Sequence, residues 1–136
     1  MSVEQENHGE FHGSCNCGGV SYIVKGSLRP TVACHCSQCR KQTGLYYAAT
    51  SALDSELTVS ENGCLKWYAA SDAAVRGFCA ECGSALFWKE HGSDNTSILT
   101  GTLDGEAPAI DRHIFCQDKG DFYEISDGLP QFPQSD

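Results

Sequence analysis

The stretch Cys15-Asn16-Cys17-Gly18-Gly19-Val20-Ser21-Tyr22-Ile23-Val24-Lys25 joins a pair of closely spaced thiols to a strand, and its reading decides the fold. Residues 20–25 are rich in β-branched and aromatic types and alternate with period two, which suits a pleated surface; Gly26 reads as the stop. Outward from it, residues 45–50, 65–69, 85–89, 97–100 and 112–115 repeat that character, with Gly63, Gly92, Gly101 and Gly105 between them. Helix signals are thin: one turn over residues 37–43 ended by Gly44, and another over residues 71–75. The sequence therefore predicts a mainly β chain of short antiparallel strands. Residues 1–10 read as a flexible N-terminal tail, residues 11–133 as a single domain, and residues 134–136 as a second loose end.

Seven of the nine cysteines fall into three clusters: Cys15 and Cys17; Cys34, Cys36 and Cys39; and Cys79 and Cys82. Thiolates one or two residues apart grip one metal ion from a single turn. Cys79-Ala80-Glu81-Cys82-Gly83 is such a knuckle, and Gly83 admits a positive φ behind the second ligand. Cys15 and Cys17, on one face of an extended segment, supply a second pair. Together these four predict a closed structural zinc site tying the N-terminal strand to the middle of the chain. Cys34, Cys36 and Cys39 make a three-sulfur set with no fourth cysteine beside it, so a second zinc held there keeps one position open for chemistry. His35 sits between two ligands and is expected to turn away from their ion. Arg40 and Lys41 follow at once. Their charge either balances the thiolates or receives an anionic substrate. Cys64 and Cys116 stand apart in strand-like surroundings and read as small buried hydrophobes that could still reach a metal in space. A Cys–His dyad using His113 or His91 is a weaker alternative, and no nucleophile elbow, HExxH helix or phosphate-binding glycine loop is present.

Composition narrows the function. Formal charge is −9, and nine of the 18 carboxylates lie between Asp94 and Asp136 against Arg112 and Lys119 alone. Seven thiolates and two zinc dications would take the charge to about −12. Such a surface repels a phosphate backbone, which argues against nucleic-acid binding. The polar, acidic first ten residues hold no apolar signal region, and no apolar run approaches the ~18 residues that span a bilayer. An odd cysteine count without a signal fits reduced thiols in a cytoplasmic setting rather than a disulfide framework.

With their flanks, these clusters resemble the glutathione-dependent formaldehyde-activating enzyme family, which includes centromere protein V-type zinc domains. The resemblance covers residues 13–133. It rests on Gly13-Ser14-Cys15-x-Cys17-Gly18, on Cys34-His35-Cys36-Ser37-x-Cys39-Arg40-Lys41-x-Thr43-Gly44 and on Gly77-Phe78-Cys79-x-x-Cys82-Gly83-Ser84. Gly101-Thr102-Leu103-Asp104, His113-Ile114-Phe115 and Asp127-Gly128-Leu129-Pro130-Gln131-Phe132 add to it. It implies a β-tent fold, a structural zinc on Cys15, Cys17, Cys79 and Cys82, and a second zinc on Cys34, Cys36 and Cys39. It also implies a carbon–sulfur lyase activity joining glutathione and formaldehyde, in which an open zinc position lowers the pKa of the glutathione thiol. The segment Lys119-Gly120-Asp121-Phe122-Tyr123-Glu124-Ile125 departs from relatives, which often carry proline and tryptophan there, and Cys116 stands where an apolar residue is usual. The alternative from another class is a non-catalytic zinc module that binds a protein partner through an apolar patch, for which Tyr46-Tyr47 and Phe87-Trp88 are the candidates.

Overall fold

The computed structural model describes residues 7–136. Ten strands, β1 (Asn7–Ser14), β2 (Val20–Leu28), β3 (Thr31–Cys34), β4 (Tyr47–Leu53), β5 (Leu57–Glu61), β6 (Leu65–Tyr68), β7 (Ala74–Cys79), β8 (Ala85–Glu90), β9 (Asn95–Leu99) and β10 (Ile110–Ile114), accompany one helix, α1 (Ser37–Thr43). They form a three-stranded sheet in the order β1-β2-β5 and a seven-stranded sheet in the order β10-β3-β4-β9-β8-β7-β6. The protein is mainly β, as the period-two pattern predicts, with short 3₁₀ turns beside the helix. No helix among the described residues is long and apolar enough to cross a membrane.

The alternation in β2 explains how the sheets meet. Val20, Tyr22 and Val24 share one face, and each is at most 2% exposed. They pack with Leu28 against Ala52, Leu86, Phe87 and Ile98 of the larger sheet, and one hydrophobic core fills the space between. On the opposite face of the larger sheet, Tyr47 and Ala49 form a second apolar cluster with Cys39 of α1. β4 serves both faces because successive residues point to opposite sides.

Five expectations change. Asn7–Glu10, placed in the tail, are the first half of β1, which pairs with β2 along its whole length. Gly26 does not stop β2: it lies opposite Gly9 in the ladder, and a Cβ there would come within 2.1 Å of the Glu56 carboxylate. Residues 71–75 form no helical turn, because from Ala74 the chain enters β7 and pairs with β8. β10 runs parallel to β3, the one parallel pairing in a sheet otherwise antiparallel. The C-terminal end is also held: Phe115 N donates to Gln134 O at 3.0 Å, and Arg112 pairs with the Asp136 carboxylate.

Candidate metal centres

Both cysteine sets assemble as the spacing predicts. The sulfurs of Cys15, Cys17, Cys79 and Cys82 lie within 4.8 Å of one another, and so do those of Cys34, Cys36 and Cys39. Cys15 and Cys17 reach this geometry from a turn rather than an extended segment: Gly18 N donates back to Cys15 O at 3.2 Å, and Gly18 takes φ +81°. Gly83 does the same at φ +82° behind Cys82. The four-sulfur set closes the end of the inter-sheet core, where Cys79 is fully buried.

The donor sets fit a thiophilic cation. Backbone N–H groups aim at the sulfurs: Val20 at Cys15 (3.3 Å), Gly19 at Cys17 (3.4 Å), Cys82 at Cys79 (3.5 Å) and Cys39 at Cys36 (3.3 Å). These bonds stabilise thiolate over thiol. Ser84 Oγ lies 3.3 Å from Cys82 Sγ and leads the influences that hold that thiol down at about 5. In the three-sulfur set the Cys34 thiol is pushed up, first by its bond to Cys36, while Cys36 is held down at about 2, first by Cys34. One negative charge thus suppresses the next, a penalty that a divalent cation removes.

The three-sulfur set is positioned by α1. Cys36 is its N-cap, with Sγ accepting from Cys39 N, and Gly44 closes the helix at φ +86°. Cys34 and Cys36 therefore flank the helix entry, and Cys39 lies one turn inside it. Among the described residues no fourth His, Cys, Asp or Glu joins them. The set forms one wall of a cavity of about 330 Å³, whose other walls include Val32, Tyr47, Arg76, Trp88 and Ile114. That size suits a small organic molecule. Phe115, also on the rim, has φ 53° and ψ 39°, a conformation that costs energy for a residue with a Cβ and gathers at functional sites.

Arg40 and Lys41 do not face this cavity. The Arg40 stem lies against Gly120, and exposed Lys41 lines a neighbouring groove with Tyr68 and Phe78. The cavity's cations are Arg29 and Arg76, which the sequence reading did not single out. Arg29 is occupied with carbonyls, donating from Nη2 to Ala49 O at 2.8 Å and from Nε to Pro30 O at 3.1 Å. Arg76 is 4% exposed, lies over the Tyr47 ring at 5.2 Å and donates from Nη2 to Cys39 Sγ at 3.6 Å. The available signal was a charged residue three positions before Cys79, in a strand whose neighbours are apolar.

His35 turns away from the sulfurs, as its place between two ligands predicts. Its ring is fully buried, with Nδ1 2.5 Å from Tyr123 Oη and Nε2 2.9 Å from His113 Nδ1. His113 Nε2 in turn lies 2.8 Å from Asp127 Oδ2. Burial first, then His113, holds His35 down at about 4, so it is neutral at pH 7. With Asp127 accepting from His113, one direction runs through the chain: Tyr123 O–H to His35, His35 Nε2–H to His113, His113 Nε2–H to Asp127. Both nitrogens of His113 are thereby taken and His91 is exposed, which leaves the Cys–His dyad without support. Cys64 is a buried core residue beside Cys79 but outside the four-sulfur set, and half-buried Cys116 joins neither set.

A crystal structure of a Rhodobacter sphaeroides protein, determined as a structural-genomics target, superposes with a TM-score of 0.60 at 24% identity, covering 88% of this chain and 98% of that one, and so shares the fold. An uncharacterized lyase of Schizosaccharomyces pombe is 27% identical over 125 residues, or 90% of each chain. The family model described as glutathione-dependent formaldehyde-activating enzyme matches residues 10–118. With most of its length inside that match, the chain belongs to the glutathione-dependent formaldehyde-activating enzyme family.

Proposed function

We propose that this protein is a zinc-dependent lyase-type enzyme that condenses glutathione with formaldehyde, or acts on a related thiol adduct, at Cys34, Cys36 and Cys39. The observation that carries this reading is three convergent sulfurs on the wall of a small cavity with no fourth protein donor among the described residues. Cys15, Cys17, Cys79 and Cys82 would hold a second, structural zinc. Family membership and the lyase name of the fission-yeast relative support the reaction class.

When bound by three cysteines, zinc supplies a positive charge that favours the thiolate form of a substrate thiol at neutral pH. In the condensation the thiol sulfur adds to the carbonyl carbon, a C–S bond forms and the C=O π pair moves to oxygen. The thiol proton ends on that oxygen, giving a hydroxymethyl thioether. The chain's own residues prepare the site. Arg76 donates to Cys39 Sγ and offsets part of the thiolate charge, while Val32, Trp88 and Ile114 make the walls apolar and limit water. The partner-binding alternative has less support, because Tyr47 and Phe87 are at most 4% exposed and belong to the cores, and Tyr46 and Trp88 beside them are half-buried.

The test joins metal content to exchange NMR with glutathione and formaldehyde. Wild type should carry two zincs per chain and interconvert adduct and free thiol faster than the spontaneous rate. Cys39→Ser should stay folded, hold about one zinc and show the spontaneous rate alone. Full activity in that variant would remove the three-cysteine site from the reaction.

A further inference from the structure

Two groups in the cavity have polar atoms that nothing among the described residues satisfies. Arg76 Nε and Nη1 and Tyr47 Oη are all buried without a hydrogen-bond partner, and each residue is 4% exposed. A guanidinium in an apolar cavity is costly unless its donors are met. One of its nitrogens already serves Cys39 Sγ, so that sulfur accounts for part of its bonding only. The idle donors of both residues belong to side chains that line the same cavity as the three cysteines. From these observations we infer that Arg76 and Tyr47 form a carboxylate subsite, which fixes a thiol substrate by its acid group while its sulfur lies at the cysteine wall.

The charge balance permits this. Three thiolates and a divalent ion leave one negative charge, which Arg29 and Arg76 outweigh by one, so the acid group of an incoming neutral thiol is balanced before its sulfur ionises. A planar carboxylate suits a guanidinium, whose N–H donors lie in one plane, and the phenol adds a further donor. The volume of about 330 Å³ favours a short acid or one end of a larger molecule. The subsite deepens the thiol-binding reading above and rests on it only for the position of the sulfur.

The test is calorimetric binding to the zinc-loaded protein without formaldehyde. Three probes are compared: 3-mercaptopropionate, its neutral counterpart 2-mercaptoethanol, and propionate, which has the acid but no thiol. Wild type should bind 3-mercaptopropionate at least about tenfold more tightly than 2-mercaptoethanol, since hydrogen bonds to a charged group contribute on this scale. Arg76→Met should lose that preference and all binding of propionate. Tyr47→Phe, which removes one hydroxyl and keeps the ring, should weaken both acids severalfold. If Arg76 serves only to neutralise the thiolates, Arg76→Met weakens both thiols by the same factor and the preference survives, which overturns the subsite. An absence of preference in wild type overturns it without any variant, even where Arg76→Met fails to fold. Unchanged binding in Tyr47→Phe removes the tyrosine from it. Should propionate bind as tightly as 3-mercaptopropionate and lose binding in Arg76→Met, the carboxylate subsite stands and the thiol reading of the cavity falls.

Discussion

At the scale of single residues, position relative to the cysteines says more than residue type. His35 is legible because a residue between two convergent ligands must turn its side chain the other way. Its partners are not legible, since His113 and Tyr123 lie 78 and 88 residues downstream and carry no local signal of pairing. Arg40 and Lys41 show the reverse failure: adjacency in sequence implies adjacency to the site, but the helix rotates them away while Arg76 arrives from another strand. The His35–His113–Asp127 chain ties the cysteine-bearing loop to β10 and the C-terminal segment, and its inner bond is fully buried. His113→Leu leaves the buried His35 N–H without an acceptor, which costs about 1–3 kcal/mol for an unsatisfied buried donor. A urea titration should show the midpoint falling accordingly. An unchanged midpoint would mean that this chain holds nothing together.

Among elements, those with a strong periodic or terminal signal were legible. The short helix Ser37–Thr43 ends at Gly44 as expected, and the alternating face of β2 is the one that meets the core. Missed elements owe their structure to partners. β1 (NHGEFHGS) contains three histidine or glutamate side chains and two glycines, yet β2 supplies a full ladder for it. β7 begins two residues after the polar pair Ser71-Asp72 because β8 pairs with it, and the parallel β10–β3 contact joins segments about 80 residues apart. One polar junction at this scale has a testable pH dependence. Thr96 Oγ1 donates to Asp54 Oδ1 at 2.6 Å and Lys89 pairs with the same carboxylate, fastening the turn after β4 to β8 and β9. The Lys89 bond first, then Thr96, holds Asp54 below the usual carboxylate range. A depressed folded pKa stabilises the native state above the unfolded value of about 3.9, and that stabilisation is lost as pH falls through the folded value. Asp54→Asn should therefore lower the stability at pH 7 by under about 1 kcal/mol, because the pair is partly exposed, which is read as a small drop in melting temperature. Below about pH 4 the difference from wild type should shrink towards zero. A difference that grows on acidification would contradict the assignment.

For the whole molecule, the division of seven cysteines into four and three was legible from spacing, but what each set joins was not. Cys15 and Cys17 lie between β1 and β2 of the small sheet, whereas Cys79 and Cys82 lie at the turn between β7 and β8 of the large one. An ion on these four would cross-link the two sheets at the end of their shared core, closing a chain loop of more than sixty residues. The three-cysteine set has its ligands within six consecutive residues, from the end of β3 into α1, on the far face of the large sheet. Loss of an ion should therefore have unequal consequences. Metal bound by four cysteines is coupled to folding and can contribute on the order of 10 kcal/mol in small domains, comparable with the whole stability of a domain this size. Cys79→Ser should abolish cooperative thermal unfolding or lower its midpoint by tens of degrees, whereas Cys39→Ser should shift it by a few degrees. A chelator added to wild type should release the three-cysteine ion first, with little change in far-ultraviolet circular dichroism, and only then the four-cysteine ion together with the fold. Equal losses of stability in the two variants, or release of both ions in one step with unfolding, would show that the second centre also holds the sheets together, against the separation of roles that their positions imply.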